Sequence, residues 1–521
     1  MSIRKADTPA RERKEWILVM KKHGIVISEI LSAVLVSGMA VMPAFADVPE
    51  AAAPASSIQV YTGHTYEMEW SRDAGRYLAE SICPQAGLDE RTEERYPELG
   101  RAFRELNEKK RKEFGEKYQE ILEDAKERYQ ENPEYTGTFS DAESWYVQRA
   151  DGHIVSLLGV HSGYIGGVHG YEGFSGMNYD PVSGKELKLS ELVTDAGAFQ
   201  EIVREGIYSS YSDVEEDLVE RYFANTAMDE MTWTAGYEGI TCYFDAYTLG
   251  PYASGYQTFL VPYEGNETLF AQAAADAAQD YGTEFPSDHS MKIGGRKICV
   301  WENRDYQTDS VDGVTIVLDG EKYDFEDTVY GYAVSPAYLK TDGEEYLYIQ
   351  YSSDNDYRLF DIYRLGETPE RIGESYLARA ASLMEDESFT GYAAMSDPEN
   401  LLFSTRTELL GTVDGQRLYR VGADGRPEEK EPYLHIMGER ILTTKEELPC
   451  EEVDEEGNLI GSLRIPARTK LTLLRTDDEA VVDLRMEDGR IARVQVSAMQ
   501  YPHSIDGRSI EEIFDGIVFA G

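Results

Sequence analysis

Residues 154–179 read IVSLLGVHSGYIGGVHGYEGFSGMNY. Two short apolar runs, Ile154 to Val160 and Gly176 to Tyr179, flank a stretch broken by glycines that includes Gly166-Gly167-Val168-His169-Gly170. Short runs bounded by glycine read as strands, because glycine supplies turn conformations and weakens a helix. Trp145 to Gln148 reads as one more strand upstream. Before these strands, Leu99, Phe103, Leu106, Phe114, Tyr118, Ile121, Leu122, Ala125 and Tyr129 recur at three- and four-residue steps, which predicts a helix from Leu99 to Glu131, stopped by Pro133. After them, a helix is expected from Ser190, with that serine as its cap, and a second through Asp213 to Phe223. Strands return at Gly239 to Tyr247 and Gln257 to Pro262. Strands and helices segregated in this way indicate an α+β domain over residues 58–285, in two parts, 58–140 and 141–285.

Beyond His289 the helical periodicity fades. Tyr346 to Tyr351 and Arg358 to Leu365, joined by Ser353-Asp354-Asn355-Asp356, read as a hairpin, and Leu401 to Arg406 with Arg417 to Val421 as another. A β-rich domain is therefore expected over residues 289–440. The acidic residues Glu451, Glu452, Asp454, Glu455 and Glu456 read as a linker. Past them, short strands at Leu459 to Ile465, Leu471 to Arg475, Ala480 to Met486 and Ile491 to Val496 suggest a small SH3-like β-barrel over residues 450–521. The fold class expected is thus an α+β N-terminal domain, a β-rich domain and a small SH3-like β-barrel.

At the N-terminus, Lys21 and Lys22 precede an apolar stretch from Ile30 to Val41, then Pro43 and Ala44-Phe45-Ala46. That order reads as a secretory signal peptide over residues 1–46, with residues 1–19 as a start-site artefact and an Ala/Pro/Ser linker over 47–57. The rival reading is an uncleaved anchor from Gly24 to Ala46. With cleavage, the expectation is a secreted protein of the cell envelope with no membrane span. The 521 residues carry a net charge of −47, which excludes nucleic acid as a partner, since that binding neutralises phosphates with basic residues. The run Lys109-Lys110-Arg111-Lys112 reads as a solvated helix face balanced by glutamates, with an anionic-ligand site as the alternative. Cys83, Cys242, Cys299 and Cys450 form no C-x-x-C pair, which argues against zinc, and their pairing stays open.

The metalloprotease H-E-x-x-H, the nucleophile elbow G-x-S-x-G and the phosphate-binding P-loop are all absent, and no catalytic residue, metal ligand or cofactor is assigned. The acidic turns Asp309 to Asp312 and Asp354 to Asp356 do not follow the twelve-residue calcium loop. The densest cluster of rings and glycines runs from His161 to Phe174. There His161, Tyr164, His169, Tyr171 and Phe174 are the candidate ligand-binding residues, since glycines permit tight turns that present rings to a partner. A glycine-rich connection with the rings folded into the core fits the same residues.

Gly166-Gly167-Val168-His169-Gly170, then Met177-Asn178-Tyr179-Asp180, Ser183-Gly184-Lys185-Glu186-Leu187 and Leu189-Ser190-Glu191-Leu192, resemble the extracellular domain of the anti-sigma-V factor (RsiV-like) family, which also occurs in peptidoglycan deacetylases of the PdaC type. Gly239-Ile240-Thr241-Cys242-Tyr243-Phe244, Gly250-Pro251-Tyr252-Ala253 and Val261-Pro262-Tyr263 resemble its second half, so the likeness covers roughly residues 60–285. The resemblance implies an α+β fold and binding rather than catalysis, because the anti-sigma members are lysozyme receptors. It departs in the short segment before the apolar stretch, which argues against sigma-factor regulation. The expected function is a secreted, non-catalytic envelope protein that binds a cell-wall glycan or an extracellular protein such as lysozyme. The 36 tyrosines against 17 phenylalanines fit contact surfaces. The alternatives are a cell-wall glycan hydrolase or esterase and an inert structural or assembly protein.

Overall fold

The computed structural model describes residues 57–519 other than 306–307, 309, 353–357, 385–387 and 499–500. The expected signal peptide, nearly all of the linker after it, the 353–356 turn and Asp309 lie outside the described residues. The described chain divides into two compact units, residues 57–374 with 381–398, and residues 375–380 with 399–519.

In the first unit, β1 (Val60–Ser71) and β2 (Arg76–Leu88) pair antiparallel. A short helix, α1 (Glu90–Arg95), is capped by the Asp89 carboxylate, which accepts from the Thr92 N–H at 2.7 Å. The long helix α2 (Pro97–Glu131) follows, with Pro97 in its first turn, where a missing N–H costs nothing. It carries the chain across to β3 (Phe139–Ala150), which runs parallel to β2 over Ala79 to Ile82, a pairing that requires such a crossover. Leu99, Phe103, Phe114, Tyr118, Ile121 and Leu122 form the buried stripe of α2. Asn107 is buried among them because its side chain serves the β2 backbone: Oδ1 accepts from the Ala86 N–H at 2.9 Å and Nδ2 donates to the Ala86 carbonyl at 2.8 Å. β4 (Val155–Tyr164) and β5 (Tyr171–Tyr179) complete this part as an antiparallel hairpin beside β3.

Next come α3 (Leu189–Leu192), α4 (Ala196–Ser210) and α5 (Glu216–Asn225), then β6 (Thr232–Ala235), β7 (Gly239–Phe244) and β8 (Gln257–Pro262) in a three-stranded sheet. Phe199, Val203, Ile207, Trp233, Phe244 and Val261 share one core. Ser190 is not the cap that the sequence suggested. It lies inside α3, its hydroxyl donates to Asp229 at 2.8 Å, and Asp195 caps α4 by accepting from the Ala198 N–H at 3.0 Å. β6 lies close against β5: a Cβ at Gly176 would stand 1.8 Å from the Trp233 carbonyl oxygen, so only glycine permits this approach.

The chain continues through α6 (Gln272–Ala275), β9 (Tyr281–Glu284), β10 (Met291–Ile293), β11 (Arg296–Asp305), β12 (Ser310–Leu318) and β13 (Glu321–Gly331). After these come β14 (Val334–Thr341), β15 (Glu344–Ser352), β16 (Arg358–Leu365) and β17 (Pro369–Ser375). β10 to β13 form a four-stranded sheet, and a five-stranded sheet has the order β17-β16-β15-β14-β9. The expected hairpin is the antiparallel pair β15 and β16. Leu158, Val160 and Phe174 of the first hairpin share a core with Val300, Ile316, Tyr338 and Tyr363, so residues 291–365 pack on the same body as β4 and β5. After β18 (Ala378–Arg379), strands β19 (Ala381–Met384) and β20 (Phe389–Ala393) return to β1, where Tyr61 pairs with Ala393. The resulting seven-stranded order is β19-β20-β1-β2-β3-β4-β5.

In the second unit, β21 (Leu401–Thr407), β22 (Val413–Val421), β23 (Pro427–Glu429), β24 (Leu434–Ile436), β25 (Ile441–Thr444), β26 (Leu448–Val453), β27 (Leu459–Ile465), β28 (Lys470–Thr476), β29 (Val481–Met486) and β30 (Ile491–Gln495) belong to one twelve-stranded sheet. The SH3-like barrel expected over residues 450–521 is corrected here: among the described residues no sheet closes into a barrel. β28 pairs onward with β24 and β25 and so extends the sheet instead of closing it. The acidic stretch is not a linker either, since Glu451 and Glu452 lie in β26 between β27 and β30. The buried Asp483 carboxylate joins β28 to β30, accepting from Arg475 Nε at 2.8 Å and from Arg493 Nε at 2.7 Å. The described residues are mostly β, with seven α-helices, α7 being Ile510–Ile513.

Candidate functional site

The β4–β5 hairpin places the five candidate residues in three different surroundings. Its register pairs His161 with Gly173 and Gly163 with Tyr171, so residues 165–170 form the tip. His161 and Tyr171 come together over β3. His161 Nε2 donates to Asp141 Oδ1 at 2.9 Å, the Tyr171 hydroxyl donates to the same oxygen, and the two rings meet edge to face at 5.4 Å. Asp141 is buried, which alone would raise its pKa. The bonds from His161 and Tyr171 outweigh that and hold the carboxyl below its ordinary range. Burial and the bond to Asp141 push the Tyr171 phenol up, so it stays protonated.

Phe174 is turned inward. Its ring packs at 5.3 Å from Tyr243, 5.1 Å from Tyr256 and 5.9 Å from His289, and its N–H donates to Asp245 Oδ1 at 2.9 Å. For this residue the core reading holds. His289 lies beneath it with Nε2 3.0 Å from Glu172 Oε1. Burial disfavours the charged ring, but the Glu172 carboxylate overcomes this and raises the His289 pKa. Burial raises Asp245 as well.

Tyr164 and His169 belong to the tip. The Tyr164 hydroxyl accepts from Tyr135 at 3.1 Å and donates to the Gly167 carbonyl at 2.9 Å. Arg128 Nη2 donates to the Gly166 carbonyl at 3.3 Å, and the Tyr252 hydroxyl reaches the Gly170 carbonyl at 3.4 Å. Gly166 has φ +81°, and a Cβ there would fall 2.7 Å from the Phe139 ring, so this position is reserved for glycine. The braced tip presents apolar surface: Val168 is 99% exposed and Ile165 49%. The His169 ring stacks on Tyr252 at 4.2 Å, and Tyr252 meets Tyr247 at 5.4 Å; both tyrosines are exposed, at 41% and 61%.

Sequence reasoning missed Asp141, Tyr247 and Tyr252 as members of this site. Asp141 faces the helix from a core-facing position of β3, where a strand pattern calls for an apolar residue. Tyr252 sits about eighty residues from His169, and its signals are a loop with Tyr247, Pro251 and Tyr256 close together and its place in the Gly250-Pro251-Tyr252-Ala253 motif. Lys110 and Arg111, expected on a solvated face, point inward. Lys110 Nζ lies 2.6 Å from the buried Glu143 carboxylate, and Arg111 Nη1 donates to Gln85 Oε1 at 2.5 Å. Among the described residues, no group of three or more His, Cys, Asp or Glu could hold a metal ion.

Residues 187–264 match a family model described as a protein of unknown function (DUF3298). The chain is similar to the crystal structure of a DUF3298 family member from Bacteroides fragilis at 16% identity, covering 42% of this chain and 98% of that one, with a TM-score of 0.33. It is also similar to a DUF3298 family protein from Pseudomonas aeruginosa at 16% identity, covering 43% and 98%, with a TM-score of 0.31. No curated protein matches. Tyr247, Tyr252 and Asp245 fall inside the matched segment, and the hairpin stands just before it, so the DUF3298 likeness covers residues 187–264.

Proposed function

We propose that this protein is a secreted, non-catalytic binding protein of the cell envelope. In this reading residues 58–285 act as an α+β, RsiV-like module, and its contact surface is the β4–β5 hairpin tip with Tyr247 and Tyr252. The observation that supports this best is a fully exposed Val168 on a tip braced by hydrogen bonds and backed by the stacked His169 and Tyr252 rings. A rigid apolar projection loses little entropy on docking, and exposed aromatics with polar tips are common anchors of recognition. The net charge of −47 favours a basic protein, with lysozyme as the model partner, because complementary charge speeds encounter. A cell-wall glycan is the second ligand class, since sugars stack on tyrosine and histidine faces.

The test is retention of the chain on insoluble peptidoglycan and on a panel of immobilised secreted proteins, with wild type, Val168→Ser and His169→Ala side by side. Retention lost in both variants supports the tip as the contact surface. Retention of neither polymer nor protein by the wild type overturns the reading. The His161–Asp141 pair keeps the hydrolase alternative open to a direct check, zymography on cell-wall substrates with His161→Ala.

A further inference from the structure

A cavity of about 240 Å³ lies between α2 and the β1–β2 hairpin, lined by Thr65, Tyr66, Glu67, Ser81, Cys83, Arg111 and Phe114. Its floor is buried and partly apolar, made by the Phe114 ring and the Cys83 side chain, whereas Tyr66 and Glu67 are exposed at its rim. It belongs to neither the hairpin tip nor the DUF3298 segment. Its size is below the roughly 300–1,000 Å³ typical of sites for drug-sized ligands, so it suits a compact molecule.

The charges sit at opposite ends. Arg111 is anchored beside Gln85, which pairs with Gly63 of β1, while Glu67 pairs with Ser81 and its carboxylate lies over Gly115, where a Cβ would stand 3.5 Å from Oε1. Positions 111 and 115 are about 6 Å apart along the helix. Thr65 and Cys83 face each other between those ends, below Phe114. A guanidinium at one end recognises a carboxylate, and a carboxylate at the other recognises an ammonium. The apolar floor between them matches a methylene stem. An α-amino acid that offers only its own ammonium and carboxylate is too short to reach both ends.

We infer that this cavity binds a linear aliphatic ω-amino carboxylate, the chemistry of lysine, with its carboxylate on Arg111, its ammonium on Glu67 and its stem over Phe114 and Cys83. The same chemistry is offered by free lysine and by a C-terminal lysine of a polypeptide. The two sources differ in what else must fit at the rim beside Tyr66.

The experiment is calorimetric titration of the full chain with lysine, ε-aminocaproate, a short peptide ending in lysine, and two one-ended analogues, hexanoate and hexylamine. ε-Aminocaproate and lysine should bind, and each analogue should bind at least tenfold more weakly. Binding of the peptide as well identifies a polypeptide end as a source, and its exclusion identifies the free amino acid. Glu67→Gln, an exposed change that leaves the fold intact, should weaken ε-aminocaproate at least tenfold and leave hexanoate unchanged. Arg111→Met should likewise weaken ε-aminocaproate at least tenfold but leave hexylamine unchanged; should it unfold the chain, the comparison of hexylamine with ε-aminocaproate on wild type tests the same end. Val168→Ser should change none of these values, which separates this site from the hairpin tip. No binding of lysine or ε-aminocaproate at millimolar concentration, analogues that bind as well as they do, or indifference to Glu67→Gln overturns the inference.

Discussion

Replacing Lys110 by methionine probes the most consequential charge that the sequence concealed. Glu143 is buried in β3, and its carboxylate accepts from Lys110 Nζ at 2.6 Å, Trp145 Nε1 at 2.9 Å and Ser175 Oγ at 3.1 Å. Lys110→Met removes the only full positive charge among these partners and leaves an ionised group inside the first unit. Breaking a buried pair from one side costs about 3–5 kcal/mol. The Lys110 side chain keeps 18% of its exposure, so some water reaches the freed oxygen and the lower end, about 3 kcal/mol, is expected. Its neighbour supplies the control: Lys109 and Glu113 are exposed and 3.9 Å apart, so Lys109→Met should cost under about 0.5 kcal/mol. Adding Glu143→Gln to Lys110→Met removes the stranded charge and keeps two hydrogen-bond partners, so it should recover most of the loss. The assay is urea unfolding followed by tryptophan fluorescence, which reads the first unit alone because the second holds no tryptophan. If Lys110→Met costs no more than Lys109→Met, or if Glu143→Gln rescues nothing, the buried-pair reasoning is wrong.

Further outcomes follow from other contacts. Gly176→Ala should destabilise the first unit by more than about 2 kcal/mol, because its Cβ would meet the Trp233 carbonyl, whereas Gly197→Ala in α4, whose Cβ would meet only Asp195 Oδ1 at an ordinary 3.5 Å, should be nearly neutral by the same unfolding assay. The Asp141 pKa is depressed in the folded state, so its contribution is present above the unfolded value near about 3.9 and lost as pH falls through the lower folded value; Asp141→Asn should flatten the acid limb of the melting temperature between pH 5 and pH 2. The His289 pKa is raised, so its contribution is complete below about 6.5 and lost as pH rises through the higher folded value. Melting temperature should therefore fall above neutral pH in the wild type, and His289→Asn should remove that fall.

The elements legible in the sequence were those whose pattern is local. α2 declares itself through apolar residues at three- and four-residue steps, and the observed helix begins two residues before the expected Leu99, where Pro97 fits the first turn. The runs Ile154 to Val160 and Gly176 to Tyr179 read as strands, but the glycine-broken stretch between them continues both, to Tyr164 and from Tyr171, and nothing local separated the inward ring of Phe174 from the tip residue His169. Partners distant in sequence stayed hidden. Asp141 and Glu143 look like solvated acids in FSDAESWY until α2 brings Lys110 against one and β4 brings His161 against the other. The pairing of β1 with β20 joins residues more than three hundred positions apart, and no periodicity announces it. The C-terminal strands were visible one by one, but strand spacing does not say which edges stay open, and β28 uses its edge to extend the sheet. The stack of His169 on Tyr252 depends on the fold bringing the β7–β8 loop to the hairpin.

As proposed above, the braced hairpin tip is a specific contact surface and not merely part of a strongly negative exterior. Affinity for lysozyme, measured at low and at moderate ionic strength with wild type, Val168→Ser and Tyr252→Ala, tests it most directly. Charge attraction between exposed groups fades within about 8–10 Å at moderate salt, whereas apolar and stacking contacts persist. Wild-type binding should survive moderate salt, and each variant should bind at least tenfold more weakly at unchanged melting temperature. Binding that vanishes with salt and is indifferent to both substitutions would contradict it.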